Sequence, residues 1–464
     1  MRQLALAALI LAATPAGAHG LWGHLHVTGW AIENLPAGPL RDFFADPDLR
    51  NAAWFGATYT DAGYAVTDQH ESVARNIAET THWEPFIERA IDWLRENDPP
   101  PWTDAESRRR VAFIMGAACH GLQDEIFDSV FLYKVTERDG GGQDETDPGT
   151  DGFMVMDQLL RLFPKEYIPR DMLRPLYLDV TPEAYDDAVD RAIGLTTGAY
   201  INEVLGPAVA LENGKIYESK IPWARAHYMD PEVPGGHQTE IWPTAAYLDA
   251  IWRRLHGTLG ADTVVWTYPE PQRRLPSVAA GSPDSWVTLI FGLGVDIDTI
   301  EASWVNAATG EAVPFTLTNT RWGETMTRLV RLEPTEDLAL GTWYRVTLLA
   351  GTRIDGLPVE PWSFEFETPC ASSQECPALG PVVAGVGGQG AAGTPWDPPG
   401  GTAEPLTAEA DTPETAPDSG SIAQMPESAA VEPANGGCGA GPGAGLDAAA
   451  ALAVISLLAG LRRW

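Results

Sequence analysis

Cysteine and positive charge are both scarce in this chain. Only 4 of its 464 residues are cysteine, too few for a disulfide scaffold. Lys and Arg number 30 against 64 Asp and Glu, a formal net charge of -34. A surface that negative repels phosphate backbones, so no broad nucleic-acid face is expected; a local cationic site made of metal ions is still allowed. The chain has no Gly-x-Ser-x-Gly elbow and no phosphate loop, which removes the usual serine-nucleophile and P-loop chemistries. The apolar run near the C-terminus, Ala448 to Leu461, is shorter than the ~20 residues a stable membrane-spanning helix needs.

The N-terminus has the make-up of a secretory signal over residues 1–18: Arg2, an apolar run from Leu4 to Ala13, then Ala16-Gly17-Ala18 as a small-residue cleavage site. Cleavage there makes His19 the first mature residue. Outside the cytosol, Cys370 and Cys376, which flank a short acidic loop, are candidates for a disulfide. Cys119 sits in an apolar helical run and reads as a small buried residue.

The mature chain divides by texture. Residues 19–260 read as helical. Apolar residues at Phe86, Ile87, Ala90, Ile91 and Leu94 keep a helical period, as do Val111, Phe113, Ile114, Ala117 and Ala118. Thr239 to Leu255 is a third amphipathic stretch, stopped by Gly257. Asp139 to Gly152 reads as a Gly/Asp-rich loop. Residues 263–369 show short alternating runs, such as Trp286 to Phe291 and Trp343 to Leu348, separated by turn residues, the pattern of an all-β sandwich. Residues 370–437 are rich in Pro, Gly, Ala, Thr and acid and are expected to form a disordered linker. Residues 438–464 are expected to be a sorting or membrane segment. The fold expectation is therefore multidomain: an all-α catalytic domain followed by an all-β sandwich.

Six of the nine histidines lie at or before position 120: His19, His24, His26, His70, His82 and His120. Neutral imidazoles are common Zn²⁺ ligands, and a catalytic site needs several of them plus an open position. His120, Asp124 and Asp128 are spaced four apart, which puts three ligand-type side chains on one helical face. A solvated acidic face is the plainer reading of that spacing alone.

Two runs sharpen it. One is Glu79-Thr80-Thr81-His82-Trp83-Glu84-Pro85-Phe86, and the other is His120-Gly121-Leu122-Gln123-Asp124. Together with His19-Gly20-Leu21-Trp22-Gly23-His24 and Thr58-Tyr59-Thr60-Asp61, they resemble the zinc-dependent phospholipase C family, in its glycosylphosphatidylinositol-specific phospholipase D branch. The resemblance covers most of residues 19–160 and fades toward 258. It implies three metals in a helical cleft. By position, His82, His120, Asp124 and Asp61 would hold one metal. The terminal amine and carbonyl of His19, with His24 and a shared Asp124, would hold a second. His70 is an alternative to His82, and His26 lies two residues beyond the ligand register. For the third metal, Asp128, Asp147 and Asp151 stand where the family pattern has two histidines and a carboxylate. An all-oxygen set suits Ca²⁺, Mg²⁺ or Mn²⁺ better than Zn²⁺.

Residues 263–369 resemble bacterial Ig-like domains related to S-layer proteins, through Val287 to Phe291, Leu332-Glu333-Pro334 and Trp362 to Thr368. They are expected to space or to bind. Gly436-Gly437-Cys438, the run to Leu461 and Arg462-Arg463 resemble myxobacterial-type sorting segments. The resemblances imply an exported, surface-anchored or secreted hydrolase of phospholipids or lipid-anchored glycans. In it, metals neutralise the phosphodiester and Asp61 orients or deprotonates the attacking water. The alternatives are a nuclease-branch phosphodiesterase and a catalytically weak surface adhesion protein.

Overall fold

The computed structural model describes residues 20–65, 71–159, 164–180, 207–260, 263–319 and 325–371. His19, His70 and Cys376, the signal segment, most of the linker and the C-terminal segment lie outside them. Among the described residues, no helix is long and apolar enough to cross a membrane.

The N-terminal part is helical. Helix α1 (Leu21–Glu33) is buried along almost its whole length. Short α2 (Pro39–Phe43) leads to α3 (Pro47–Tyr59), whose first turn is capped by Asp46 accepting from the Asp48 amide. A 3-10 turn, Thr60–Ala65, follows and carries Asp61. Next come α4 (Glu71–His82) and α5 (Glu84–Asn97), which buries Phe86, Ile87, Ala90, Ile91 and Leu94 as their spacing predicts. The 22-residue α6 (Ala105–Ile126) is the spine of the molecule, capped by Asp104 and buried from Val111 onward. A β-carbon on Gly116 would fall 1.8 Å from the Ala53 carbonyl oxygen, so only glycine lets α6 lie this close to α3.

Helix α6 runs into a five-residue π-helix, Phe127–Phe131, and then α7 (Leu132–Asp139). Residues 139–152, expected as a loop, instead contribute most of a helix, α8 (Gln143–Met156). Glu145 reaches back to the Gly142 amide at 3.0 Å, and Phe153 and Met154 are buried in a satellite core. Gly152 lets α10 (Pro207–Tyr217) approach: a β-carbon there would meet the Gly214 nitrogen at 2.2 Å. Tertiary packing thus outweighs a composition poor in helix formers. The remaining helices among the described residues are α9 (Arg170–Val180), α11 (Pro222–His227) and α12 (Ile241–Leu255), the last ending at Gly257 with φ of +65°.

The C-terminal strands are β1 (Val264–Tyr268), β2 (Val287–Asn306), β3 (Phe315–Thr318), β4 (Met326–Pro334), β5 (Trp343–Arg353) and β6 (Trp362–Glu367). All pair antiparallel, in the order β3-β4-β2-β5-β6, with β1 also on β2. Leu289, Phe291, Val330 and Leu332 point into the β core around Trp304. Their alternates Ile290 and Leu329 join the helical core with Val265 and Tyr268. The period-two alternation of a strand therefore serves two cores at once, and residues 263–369 pack directly against the helices. Cys370 is disulfide-bonded, and Cys119 is free and buried in the helical core.

Candidate metal centre

Four helical elements bring five predicted residues to one point. His24 comes from α1, Asp61 from the 3-10 turn, His82 from the end of α4, and His120 and Asp124 from successive turns of α6. His82 Nε2 lies 3.2 Å from an Asp61 oxygen and 3.2 Å from an Asp124 oxygen. His120 Nε2 lies 3.4 Å and 3.3 Å from the same two carboxylates. His24 Nε2 is 3.2 Å from Asp124, and its ring stacks on His120 at 3.4 Å between centroids. Among the described residues, two groups could hold a metal ion: His24, His120 and Asp124, and Asp61, His82 and His120. Within each group the ligand atoms lie within 4.8 Å of one another.

The opposite nitrogens of the rings are anchored. His82 Nδ1 donates to the Ala78 carbonyl at 2.6 Å, and His120 Nδ1 to the Ala57 carbonyl at 2.5 Å. A carbonyl only accepts, so both rings carry a proton on Nδ1 and turn Nε2 inward as the atom that takes up a proton or a metal ion. His24 Nδ1 is held 2.9 Å from Gln123 Oε1, and Gln123 in turn donates to Thr28 at 3.0 Å. This outer layer orients ligand histidines in metal sites. The inward Nε2 atoms of His82 and His120 are 3.0 Å apart. Two lone pairs at that distance repel unless a proton or a metal cation lies between them. The donor set fits a metal on this ground.

Electrostatics agree with the geometry. Burial works against the charged form of His82, but Asp124 and Asp61 outweigh it and raise its pKa to about 10. Burial also opposes protonation of His120, and again Asp61 and Asp124 prevail. His24 shifts the other way, lowered by burial and by His120. Burial resists ionisation of Asp61 and Asp124, yet His120 and its neighbouring imidazoles hold both carboxyls well below their ordinary value.

The three other predicted aspartates form an acidic wall beside this centre. Asp128 sits in the π-helix, one turn beyond Asp124. Asp147 and Asp151 lie four apart on one face of α8, buried. Burial, then Asp124, pushes Asp128 up; burial, then Asp128, Asp124 and Asp61, pushes Asp147 up. One oxygen of each is buried without a hydrogen-bond partner among the described residues. Asp151 accepts from the Trp22 and Gly23 amides at 3.3 Å and 2.9 Å, at the positive end of α1. Burial raises it to about 7 against those bonds. His26 is turned away: its Nδ1 is 3.1 Å from the Leu159 carbonyl, and its ring packs on Trp30.

Sequence reasoning passed over His237 and Glu240, both buried just before α12. Burial first, then His24, lowers His237 to about 3. Burial, then Asp124 and Asp128, raises Glu240. His237 lies far in sequence from the crowding of histidines at or before position 120. The Gly235-Gly236 step before it was the available signal, with Gly235 at φ of +84°.

Fold and site together define a helical protein with a buried histidine–aspartate centre able to hold metal. No family model matches the chain. Its relatives include phosphatidylinositol-glycan-specific phospholipase D of Rattus norvegicus, 25% identical over 212 residues, 41% of this chain and 24% of that protein. The Mus musculus protein of the same name is 26% identical over 245 residues, 49% of this chain and 28% of that one. The Homo sapiens protein is 35% identical over 57 residues, 12% of this chain and 7% of that one. The chain thus matches about a quarter of the length of the two rodent relatives. Among solved structures, CopC from Methylosinus trichosporium OB3b is 21% identical, with a TM-score of 0.20, covering 24% of this chain and 95% of that one. The S-layer protein SbsC is 14% identical, with a TM-score of 0.19, covering 70% of this chain and 46% of that one.

Proposed function

We propose that the mature chain is an exported, metal-dependent phosphodiester hydrolase of the phospholipase C or D type, acting on phospholipid or a lipid-anchored glycan. One observation carries the reading: three inward Nε2 atoms and two carboxylates share one buried point, with the outer imidazole nitrogens of His24, His82 and His120 already anchored. The similarity to phosphatidylinositol-glycan-specific phospholipase D supports the substrate class. Zinc suits the nitrogen-rich groups. Bound there, it supplies charge neutralisation for phosphodiester oxygens and acidifies water.

The protein's own groups do the rest. His24, His82, His120 and Asp124 hold the centre rigid. Asp61, 12% exposed, is the most open of the five side chains. It is kept ionised by His120 and His82, which suits it to accept a hydrogen bond from the attacking water and orient it, the role we assign it. Asp128 and Asp147 form the seat of a harder cation, with Asp151 contributing through the lone pairs its amide bonds leave over. His19 would add its terminal amine after signal cleavage.

Elemental analysis of the mature protein, with turnover of a chromogenic phosphodiester, tests this reading. Bound metal with turnover that strips away with a chelator supports it. A metal-free, inactive protein rejects it and leaves the adhesion reading. Faster hydrolysis of lipid micelles than of single-stranded DNA selects the lipid branch; the reverse order selects the nuclease branch.

A further inference from the structure

We infer that Arg328, on strand β4, is a positioning residue of the metal centre, so that the β part of the chain holds part of the site in place. The functional consequence rests on the metal reading above; the geometry does not.

The ladder between β2 and β4 breaks between Ile290 and Val295 on β2, while β4 passes only from Leu329 to Thr327. Arg328 is the β4 residue opposite that break, where a bulge frees a strand residue from regular pairing. Its backbone amide donates to Glu125 at 3.0 Å rather than to a strand neighbour. Its side chain runs into the helices and is fully buried, at 0% exposure.

The guanidinium spans two ligand-bearing segments. Nη2 donates to the His82 carbonyl at 2.8 Å. Nε meets Glu125 at 2.9 Å, and Nη1 meets the Ala118 carbonyl at 3.3 Å. Glu125 follows Asp124 directly, and Ala118 precedes His120 by two residues. One planar, multidentate cation therefore fixes the end of α4 against the ligand turns of α6, which no single-headed ammonium reproduces. Gly121 completes the joint: a β-carbon there would fall 1.9 Å from the His82 oxygen and 2.7 Å from Arg328 Nη2. The end of α4, helix α6 and strand β4 thus meet at Arg328, which bonds the His82 carbonyl at 2.8 Å and Glu125 at 2.9 Å and 3.0 Å.

The test uses the full mature chain loaded with Co²⁺, whose visible spectrum reports ligand geometry. Three variants are compared with the parent: Arg328→Lys, Gly121→Ala and Arg254→Lys. Arg254 is the control. It is also buried between the two parts of the chain, pairing with Glu84 at 2.7 Å and with Glu88 and donating to the Gly292 carbonyl, but it bonds no ligand backbone. Arg328→Lys and Gly121→Ala are expected to weaken Co²⁺ binding by about 10–100-fold, the usual cost of losing an outer partner of a metal ligand, and to alter the spectrum. Arg254→Lys is expected to melt earlier with its spectrum unchanged. If Arg328→Lys keeps the parental affinity and spectrum while melting earlier, Arg328 only joins the two parts and the inference is overturned. If Arg328→Lys does not fold, Gly121→Ala decides: an unaltered spectrum and affinity in that variant overturn the inference. A parent that binds no Co²⁺ overturns the metal reading instead, an outcome visible before any variant is made.

Discussion

His120 stands in both groups of converging ligand atoms, and Asp124 faces all three imidazoles. His120→Ala and Asp124→Asn should each remove bound metal and reduce hydrolysis by more than about a hundredfold, beyond the cost of an outer partner. Far-UV circular dichroism should keep its helical signal, because neither change opens the apolar core; unchanged metal in the mass spectrum of both variants rejects the assignment. Proton linkage gives a second residue-scale prediction. Without metal, folded Asp151 holds its proton to about pH 7, whereas its ordinary value is 3.8. Between those values the folded state binds more protons than the unfolded state, so stability falls as pH rises. His82 acts in the same direction from 6.5 to about 10: its contribution is full below the first value and lost on approaching the second. Asp61 and Asp124, held low, lose their contribution only in acid. His24 and His237, held low, oppose this trend below 6.5, but they are outnumbered by the raised Asp128, Asp147, Asp151, Glu240 and His82, so the metal-free protein should melt lower at pH 8 than at pH 5. Saturating Zn²⁺ and Ca²⁺ should reverse that order and release protons, counted by calorimetry in buffers of different ionisation enthalpy. An unchanged order of melting in the presence of metal counts against cations at the acidic wall.

At the scale of elements, the spacing of apolar residues made α5, α6 and α12 legible, because each is an ordinary amphipathic or buried helix. The same periodicity put Asp124 and Asp128 one and two turns after His120. It did not foresee the π-helix at Phe127–Phe131, which sends Val130 into one core and Phe127 and Phe131 into another and leaves no compositional trace. Helix α8 was illegible for the opposite reason. Its Gly, Asp and Pro content argues for a loop, and contacts remote in sequence, with α1, α10 and Ile221 before α11, accompany the helix instead. Asp147 and Asp151 were nevertheless singled out, on a family resemblance rather than on helical spacing. His237 and Glu240 belong to an irregular stretch where no period operates. The close crossing of α3 and α6 is testable: Gly116→Ala drives a methyl into the Ala53 carbonyl. Overpacking typically costs about 1–3 kcal/mol. Melting should drop by several degrees, and the Ala57 carbonyl that orients His120 should shift with α3, weakening metal binding. A variant that melts and binds like the parent would show that the two helices can part at no cost.

The whole molecule is less divisible than its sequence texture suggests. The change of pattern near Thr263 marks where strands begin, but it carries no information about where their faces point. Single residues do: Ile290 and Leu329 enter the helical core, Arg328 enters the ion cluster behind the metal centre, and Arg331 packs between Tyr133 and Trp286 at 4.5 Å and 4.6 Å. A chain ending at residue 260 would take Arg328, the partner of Glu125 at 2.8 Å, away from α6, while Glu84 would keep Arg254. Breaking such a pair from one side costs about 3–5 kcal/mol, on top of the lost apolar cover. That shortened protein should show weak near-UV circular dichroism and bind the dye ANS. A sharp near-UV spectrum with metal bound would show instead that the helices stand alone.

The alternation of Ile290 and Leu329 into one core and Leu289 and Val330 into the other also bears on how this chain tolerates mutation. A lesion at Leu329 is a lesion of the helices, although it lies more than two hundred positions from His120 in sequence. Compensation should therefore cross the textural boundary. Among random second-site changes that restore metal retention to a Leu329→Ala protein, helix residues of the shared core such as Phe86, Tyr247 and Ile251 should recur, while the far side of the sheet around Trp304 should stay silent.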